Sequence, residues 1–269
     1  MRKQAADIRK YLQHAEGNIM YIHNRLLSLI YRFIFLIVCG IGLYLNSGIA
    51  TGELAAYMLV FYTIQSNILC FIFFSILFFK NISDLKNKGI RGTTLIFPRF
   101  KGAVTMSIAV TFLTYHFVLV PQYISTCSNY NLLSWQNLIV HYFVPLAAIF
   151  DWLLFDKKSS FRWYDPILWV LIPITYFISI IIRAQLGKVI DIVKSQYPYF
   201  FIDVDMLGWI CVLKNVSLLI LAFLFVGYAI YIIDKISFER IAVRMVDKKQ
   251  KKQLLNIINT AAANPHHQV

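Results

Sequence analysis

The chain has 269 residues, of which 59% are hydrophobic and only 14% are charged, and its formal net charge is +13. A soluble globular domain is about 45–50% apolar, so this composition excludes an ordinary soluble protein. The apolar residues form blocks of about 20, the length that crosses a bilayer as a helix. The sequence therefore predicts an all-α polytopic membrane protein.

Six apolar blocks follow one another along the chain and predict six transmembrane helices. The fifth block is the shortest and contains Pro173. Together they define a six-span transmembrane domain over residues 29–233. The blocks comprise residues 29–46, 57–79, 103–121, 137–155, 167–182 and 209–233.

Polar and basic segments flank the six blocks. Residues 1–28 lack the apolar core and cleavage site of a removable signal peptide, and we predict a cytoplasmic N-terminal arm. Residues 234–269 are predicted to be a basic cytoplasmic C-terminal tail, either an interfacial helix on the inner leaflet or a solvated segment. The long aromatic segment between the fifth and sixth blocks predicts a cap over the helix bundle.

The distribution of Lys and Arg predicts the orientation. Five precede the first block, six lie between the second and third, three between the fourth and fifth, and seven after the sixth. The segments between the first and second and between the third and fourth blocks have none, and the segment between the fifth and sixth has three. Because cytoplasmic loops carry the excess of Lys and Arg, both termini are predicted to be cytoplasmic. The basic segments are expected to attract anionic lipid headgroups. Nucleic acid is not an expected partner, since the charges flank spans and do not form a stripe with aromatic residues.

Charged residues and cysteines inside the blocks have structural interpretations. Arg32 lies near the inner end of the first block, where it either reaches the headgroups or pairs with Asp151 of the fourth. Cys39, Cys70 and Cys211 lie within blocks without a CxxC spacing, and no nucleotide-binding or metalloprotease motif is present. We predict no metal site and no cofactor.

The second block contains an unusual polar cluster in the stretch FYTIQSNILC, with Thr63, Ser66 and Asn67 in an otherwise apolar helix. Helical rise places Thr63 about 9 Å below the outer end of its block. By the same measure His141 lies about 6 Å down the fourth block and His116 about 7–8 Å down the third. Three helices thus contribute polar side chains to one layer in the outer half of the membrane.

This layer has more than one interpretation. Thr63 and Asn67 share a helix face, as do Asn137 and His141. The polar groups could hydrogen-bond across helices as packing contacts, or form a proton or ion path. Alternatively His141 is a general base and a neighbouring hydroxyl a nucleophile, since histidines within the membrane indicate function. His116, together with Tyr115 and Tyr123, could equally belong to an outer aromatic belt.

Three short motifs carry a family resemblance. YTIQSN in the second block, NLIVHYFVP in the fourth and YPYFFIDV before the sixth resemble the androgen-induced-gene family of six-span membrane proteins. This family includes the androgen-dependent regulator of tissue factor pathway inhibitor and many bacterial members. The resemblance implies an intramembrane hydrolase that cleaves fatty acid esters of hydroxy fatty acids with a threonine nucleophile and a histidine. It also implies a bacterial cytoplasmic membrane as the location.

Carried onto this chain, the family's histidine is His141 and its threonine is Thr63. The polar residue after the nucleophile lies one position further away, at Asn67, so Ser66 is an alternative nucleophile. YPYFFIDV also has Asp203 next to its end, where mammalian members commonly have Glu. We therefore expect a related long-chain lipid ester as substrate.

The supporting roles are predicted from position. Asn67 and Asn137 are candidate donors to the developing oxyanion. His116 is a candidate to orient His141 or to act as a second base. Two other functions stay open on the sequence: a transporter or channel that uses the same polar layer, and a non-catalytic membrane adaptor that binds through its basic tails.

Overall fold

The computed structural model describes residues 21–49, 52, 54–126 and 131–235. Within these ranges the chain is helical and forms no strand. Six helices are long and apolar enough to cross a membrane, which confirms the predicted number of spans. The helices are α1 (Arg25–Asn46), α2 (Tyr62–Lys88), α3 (Pro98–Thr126), α4 (Trp135–Phe155), α5 (Asp165–Gln185) and α6 (Val204–Lys235).

Both predicted flanking segments lie almost wholly outside the described residues. Of the N-terminal arm, the structure describes residues 21–28, which include the start of α1. Of the C-terminal tail, it describes only residues 234–235, at the end of α6. The cytoplasmic location of both termini stays a prediction from the charge pattern.

The start of α2 differs from its prediction, because the first residues of the second apolar block form a separate 3₁₀ helix, Ala56–Val60. Phe61 is extended, with φ −78° and ψ 133°, and α2 begins at Tyr62. Thr63 therefore lies in the first turn of α2. In this turn the backbone N–H groups have no acceptor within the helix.

Helices α3 and α4 each contain a π-helical turn, Tyr115–Leu119 in α3 and Ile139–Phe143 in α4. In both helices a proline follows two residues after the turn, Pro121 and Pro145. Proline has no N–H to donate, and its ring clashes with the carbonyl four residues earlier, which here lies inside the π turn. The two prolines give a local reason for the widened turns, a feature that often marks functional sites.

Four charged side chains are buried together at the end of the bundle away from Thr63. Arg32 Nε donates to Asp151 Oδ1 at 2.9 Å, so the predicted ion pair is the arrangement seen. Lys101 contacts Asp151 and donates to Asp156 Oδ1 at 2.6 Å. Two cations and two carboxylates balance one another, and each is no more than 3% exposed. This buried cluster ties α1, α3 and α4 to the loop that follows α4.

The segment between α5 and α6 covers the opposite end of the bundle. Tyr197, Tyr199 and Phe201 are buried in one core cluster with Tyr62 and Tyr115. The segment is anchored where α6 begins, because a carboxylate there accepts both a backbone N–H of the first turn and a serine hydroxyl of the segment. The predicted cap therefore packs directly over the start of α2.

Candidate active site

Thr63 and His141 are in contact. Oγ1 of Thr63 lies 3.3 Å from Nε2 of His141. Thr63 is buried, with 8% of its surface exposed, and His141 is partly buried. The first turn of α2 and the π turn of α4 thus bring together two residues that are 78 positions apart in the chain.

The hydrogen bonds of His141 determine which ring nitrogen carries the proton. Nδ1 lies 3.2 Å from the backbone carbonyl oxygen of Asn137. A carbonyl oxygen can only accept, so Nδ1 carries the hydrogen in the neutral ring. Nε2 then has a free lone pair directed at the hydroxyl of Thr63. This is the tautomer that a general base needs.

An aromatic ring fixes the plane of this imidazole. Tyr115 stacks on His141 with ring centroids 3.6 Å apart and an interplanar angle of 13°. Tyr115 lies at the start of the α3 π turn and is only 1% exposed. Stacking on one face and hydrogen bonds at both nitrogens therefore hold the ring in one orientation. Sequence reasoning missed this role, because Tyr115 reads as part of an outer aromatic belt.

Ser66, the alternative nucleophile, has other partners. Its hydroxyl lies 3.0 Å from the carbonyl oxygen of Thr63 and 2.7 Å from the hydroxyl of Thr111. Neither a peptide carbonyl nor a threonine hydroxyl is a competent base. Ser66 therefore lies next to the candidate site but lacks the activating contact that Thr63 has.

The two predicted amide donors are used elsewhere. The side-chain nitrogen of Asn67 donates to the carbonyls of Thr63 at 2.8 Å and Val140 at 3.0 Å. The side chain of Asn137 donates to the carbonyl of Asn131 at 2.9 Å. Asn67 is fully buried, so its amide ties α2 to α4 beside the Thr63–His141 pair. Both hydrogens of its amide nitrogen already donate to these two carbonyls, so neither is directed at a substrate.

His116 has a separate partner. Its Nδ1 lies 3.1 Å from the hydroxyl of Tyr142, and it is exposed. Its ring also stacks on Phe112 at 6.0 Å. His116 therefore contacts Tyr142, the residue that follows His141, and lies on the exposed side of α3. Among the described residues, no contact joins the rings of His116 and His141.

A cavity of about 80 Å³ opens onto Thr63. Its walls come from α2, α3, α5, α6 and the cap, and they are aromatic and aliphatic apart from a few hydroxyl groups. The cavity includes Tyr199, a residue of the YPYFFIDV motif to which the sequence assigned no separate role. An apolar chain in this space would have its end beside the Thr63 hydroxyl.

Tyr199 lies against the first turn of α2. Burial raises the pKa of Tyr199, whereas hydrogen bonds with the Thr63 side chain and with the backbone of Thr63 and Tyr62 lower it. Only a donor lowers the pKa of a phenol, so the backbone groups are the N–H groups of Tyr62 and Thr63. These are the N–H groups that have no acceptor within the helix. The Tyr199 oxygen, the Thr63 hydroxyl and these two N–H groups therefore lie together at the first turn of α2.

No group of three or more His, Cys, Asp or Glu side chains converges as a metal site in the part of the chain that the structure describes. The chemistry available at Thr63 is that of a hydroxyl, an imidazole and hydrogen-bond donors.

Comparisons with family models, with curated protein sequences and with solved structures find no match to this chain. The functional assignment therefore depends on the geometry around Thr63 and on the three sequence motifs.

Proposed function

We propose that the protein is an intramembrane hydrolase of long-chain lipid esters, with Thr63 as nucleophile and His141 as general base. The observation that carries this proposal is the 3.3 Å contact between Thr63 Oγ1 and the unprotonated Nε2 of His141. A threonine hydroxyl is a weak nucleophile and requires a base within hydrogen-bond reach. The resemblance of the three motifs supports the same pair.

The reaction has two halves. Thr63 Oγ1 attacks the ester carbonyl carbon while its proton passes to Nε2 of His141. The carbon–oxygen bond to the alcohol then breaks, and the alcohol leaves with that proton, so that the acyl group stays on Thr63. Water next attacks the acyl carbon and gives a proton to His141, which returns it to Thr63 as the fatty acid departs. The carbonyl of Asn137 holds the imidazole throughout.

The candidate donors to the developing oxyanion are the hydroxyl of Tyr199 and the backbone N–H groups of Tyr62 and Thr63, which lie together at the first turn of α2. We propose that these donors, in place of the side chains of Asn67 and Asn137, stabilise the tetrahedral intermediate. A preorganised donor of this kind contributes about 3–4 kcal/mol to the transition state. The positive end of the α2 dipole acts in the same direction.

The acyl chain would occupy the apolar cavity between α2, α3, α5 and α6. Its aliphatic and aromatic walls match hydrocarbon, and Thr63 lies in its lining. An ester carbonyl at Thr63 then leaves the acyl chain on the cavity side. This placement supports a long-chain ester as substrate and requires no cofactor.

A fluorophosphonate probe tests the nucleophile. Purified protein is labelled, and the modified residue is located by mass spectrometry in the wild type, Thr63→Ala, Ser66→Ala, His141→Ala and His116→Ala. We expect an adduct on Thr63 that is lost in His141→Ala and retained in His116→Ala, the matched histidine control. An adduct on Ser66, or equal labelling of Thr63 in His141→Ala, contradicts the proposed pair.

We further propose that the chain is a distant bacterial member of the androgen-induced-gene family and resides in the cytoplasmic membrane with both termini in the cytoplasm. The three motifs support the family membership, and the Lys and Arg at both termini and between the second and third blocks support the orientation. Fusions at the C-terminus test it: a fluorescent protein that folds only in the cytoplasm is expected to fluoresce, and a periplasmic phosphatase is expected to be inactive. The reverse result contradicts the orientation.

A further inference from the structure

The apolar cavity beside Thr63 has two kinds of wall. Its lining residues on α2 and on the cap are buried, and so are those on α3 apart from Thr114. The four lining residues on α5 and the four on α6 are all half-buried. Since all of these residues face one cavity, the exposed surface on α5 and α6 indicates that the cavity is open on that side.

The helices α5 and α6 pack closely at one end only. α6 packs on Asp165–Trp169, the first residues of α5. A Cβ added to Gly227 would lie 3.0 Å from Cβ of Pro166, so the two helices approach closely there. The later turns of α5, Leu171–Gln185, have no comparable contact with the described length of α6. The two helices therefore diverge toward the end of the bundle that holds Thr63.

The cap holds the diverging ends of both helices. Arg183 of α5 donates to the carbonyl of Gln196 in the cap at 2.9 Å. Asn215 of α6 donates to the carbonyl of Phe201 in the cap at 3.0 Å. The cap thus bridges the two helices at the membrane surface and covers the cavity there. The side that stays open is a gap between two transmembrane helices, and this gap faces lipid.

Phe223 closes the gap at its deeper end. It lines the cavity and packs against two core clusters, the one that contains Tyr199 and the one that contains Trp169. Leu219 lies one helical turn nearer to the cap on the same face of α6 and also lines the cavity. The lining of α5 and α6 is aliphatic and aromatic apart from one tyrosine hydroxyl. Such a lining suits a hydrocarbon chain, which is excluded from water.

We propose that the gap between α5 and α6 is a lateral portal, through which a lipid ester reaches Thr63 from the leaflet on that side of the membrane. This inference rests on the proposed hydrolase function. The ester carbonyl lies at Thr63, the methylenes next to it lie in the cavity above Phe223, and a longer chain continues through the portal into the bilayer. Because a long-chain ester is concentrated in the membrane, this route delivers it without passage through the cap.

Narrowing the portal tests this route. Purified full-length protein is reconstituted in phosphatidylcholine liposomes, and Leu219→Trp is used to fill the space between α5 and α6. We expect kcat/KM for methyl oleate to fall by about tenfold or more, because the added bulk competes with the acyl chain for the same space. Hydrolysis of p-nitrophenyl acetate, whose short acyl group does not occupy the portal, is expected to change by less than about threefold.

Leu218→Trp is the matched control. Leu218 is the preceding residue of α6, is 69% exposed and is not part of the cavity lining. The same substitution there is expected to leave the hydrolysis of both esters unchanged. Hydrolysis of methyl oleate that Leu219→Trp does not lower, or that Leu218→Trp lowers equally, overturns the portal.

Photo-crosslinking gives a second test, which needs no hydrolysis and decides the matter if Leu219→Trp fails to fold. Thr63→Ala in the same liposomes is irradiated with a long-chain methyl ester that carries a diazirine in its acyl chain. We expect adducts on lining residues of the two helices, such as Phe177 and Leu219, that excess methyl oleate displaces. Adducts confined to exposed residues such as Phe225, or adducts that methyl oleate does not displace, overturn the portal.

The two proposals fail in different ways. Displaceable adducts between α5 and α6, in a protein whose wild type hydrolyses no ester and gives no probe adduct on Thr63, overturn the hydrolase function and leave the portal as a lipid-binding space. Hydrolysis of methyl oleate through Thr63, with no displaceable adduct on either helix, overturns the portal alone.

Discussion

Nε2 of His141 lies 3.3 Å from Oγ1 of Thr63, and Nδ1 of the same ring is held by the carbonyl of Asn137. The carbonyl takes the position that a carboxylate occupies in many hydrolases. It orients the imidazole and selects its tautomer without a buried negative charge, which would be costly at this depth. In a low-dielectric site an uncharged orienting group provides the geometry at a lower desolvation cost.

The two histidines of the polar layer are expected to differ in function. His141→Gln should lower kcat for a long-chain ester by about 10²–10⁴-fold, because it removes the base that accepts the Thr63 proton. His116→Gln should leave kcat within about threefold, because His116 contacts Tyr142 and lies outside the proton path. Steady-state hydrolysis of methyl oleate by the two purified variants measures the difference, and a larger loss in His116→Gln would contradict the assignment.

Tyr199 is expected to act on the transition state. Tyr199→Phe removes a donor to the oxyanion and should lower kcat by about 10²-fold with little change in KM. The neighbouring buried residue Tyr197 supplies the control, since Tyr197→Phe removes a hydroxyl from the same segment but does not alter the donors at Thr63. Equal loss of kcat in both variants would indicate that the packing of the cap, and not the Tyr199 hydroxyl, determines kcat.

Asn67 is expected to stabilise the contact between α2 and α4. Asn67→Leu removes the donor to the carbonyls of Thr63 and Val140 and should lower the free energy of unfolding by about 1–3 kcal/mol. Asn137→Leu loses a bond to an exposed loop carbonyl, so a smaller change is expected. Thermal unfolding of both variants measures these two changes in the free energy of unfolding. A loss of kcat in Asn67→Leu at unchanged stability would instead support the oxyanion role predicted from the sequence.

The buried charged cluster should be sensitive to the loss of one partner. Asp151→Asn leaves Arg32 and Lys101 with one carboxylate between them and should destabilise the protein by about 3–5 kcal/mol. Lys101→Met/Asp151→Leu removes one charge of each sign and should recover most of this loss. Thermal unfolding in detergent gives both values. Asp151→Asn with unchanged unfolding would mean that the cluster contributes little to stability.

Several features of the fold follow from local sequence alone. A block of apolar residues crosses the bilayer as a helix because its backbone must satisfy its own hydrogen bonds there, so six spans can be counted without a structure. Helical rise places Thr63 and His141 in one layer for the same reason. The similar depth of Arg32 and Asp151 allows them to pair, but the sequence equally allowed Arg32 to reach the headgroups, and the structure shows the pair.

Other features depend on how helices rotate and where they break. The hydropathy of residues 57–61 resembles that of α2, yet the chain makes a 3₁₀ turn there and frees the N–H groups of Tyr62 and Thr63. The sequence places Lys101 in the basic segment between the second and third blocks. In the structure it belongs to α3, and its side chain is buried inside the bundle. The π turns change the direction in which the side chains of α3 and α4 point. Helical rise alone does not predict this rotation.

The sequence by itself determined that the chain has six apolar spans and which polar side chains share a depth, because length and helical rise are local quantities. Only the tertiary structure decided which of those side chains touch. The contact of Thr63 with His141, the stacking of Tyr115, the donors around Tyr199 and the use of Asn67 on two carbonyls all depend on the rotation of each helix about its axis. That rotation is set by packing between segments far apart in the chain.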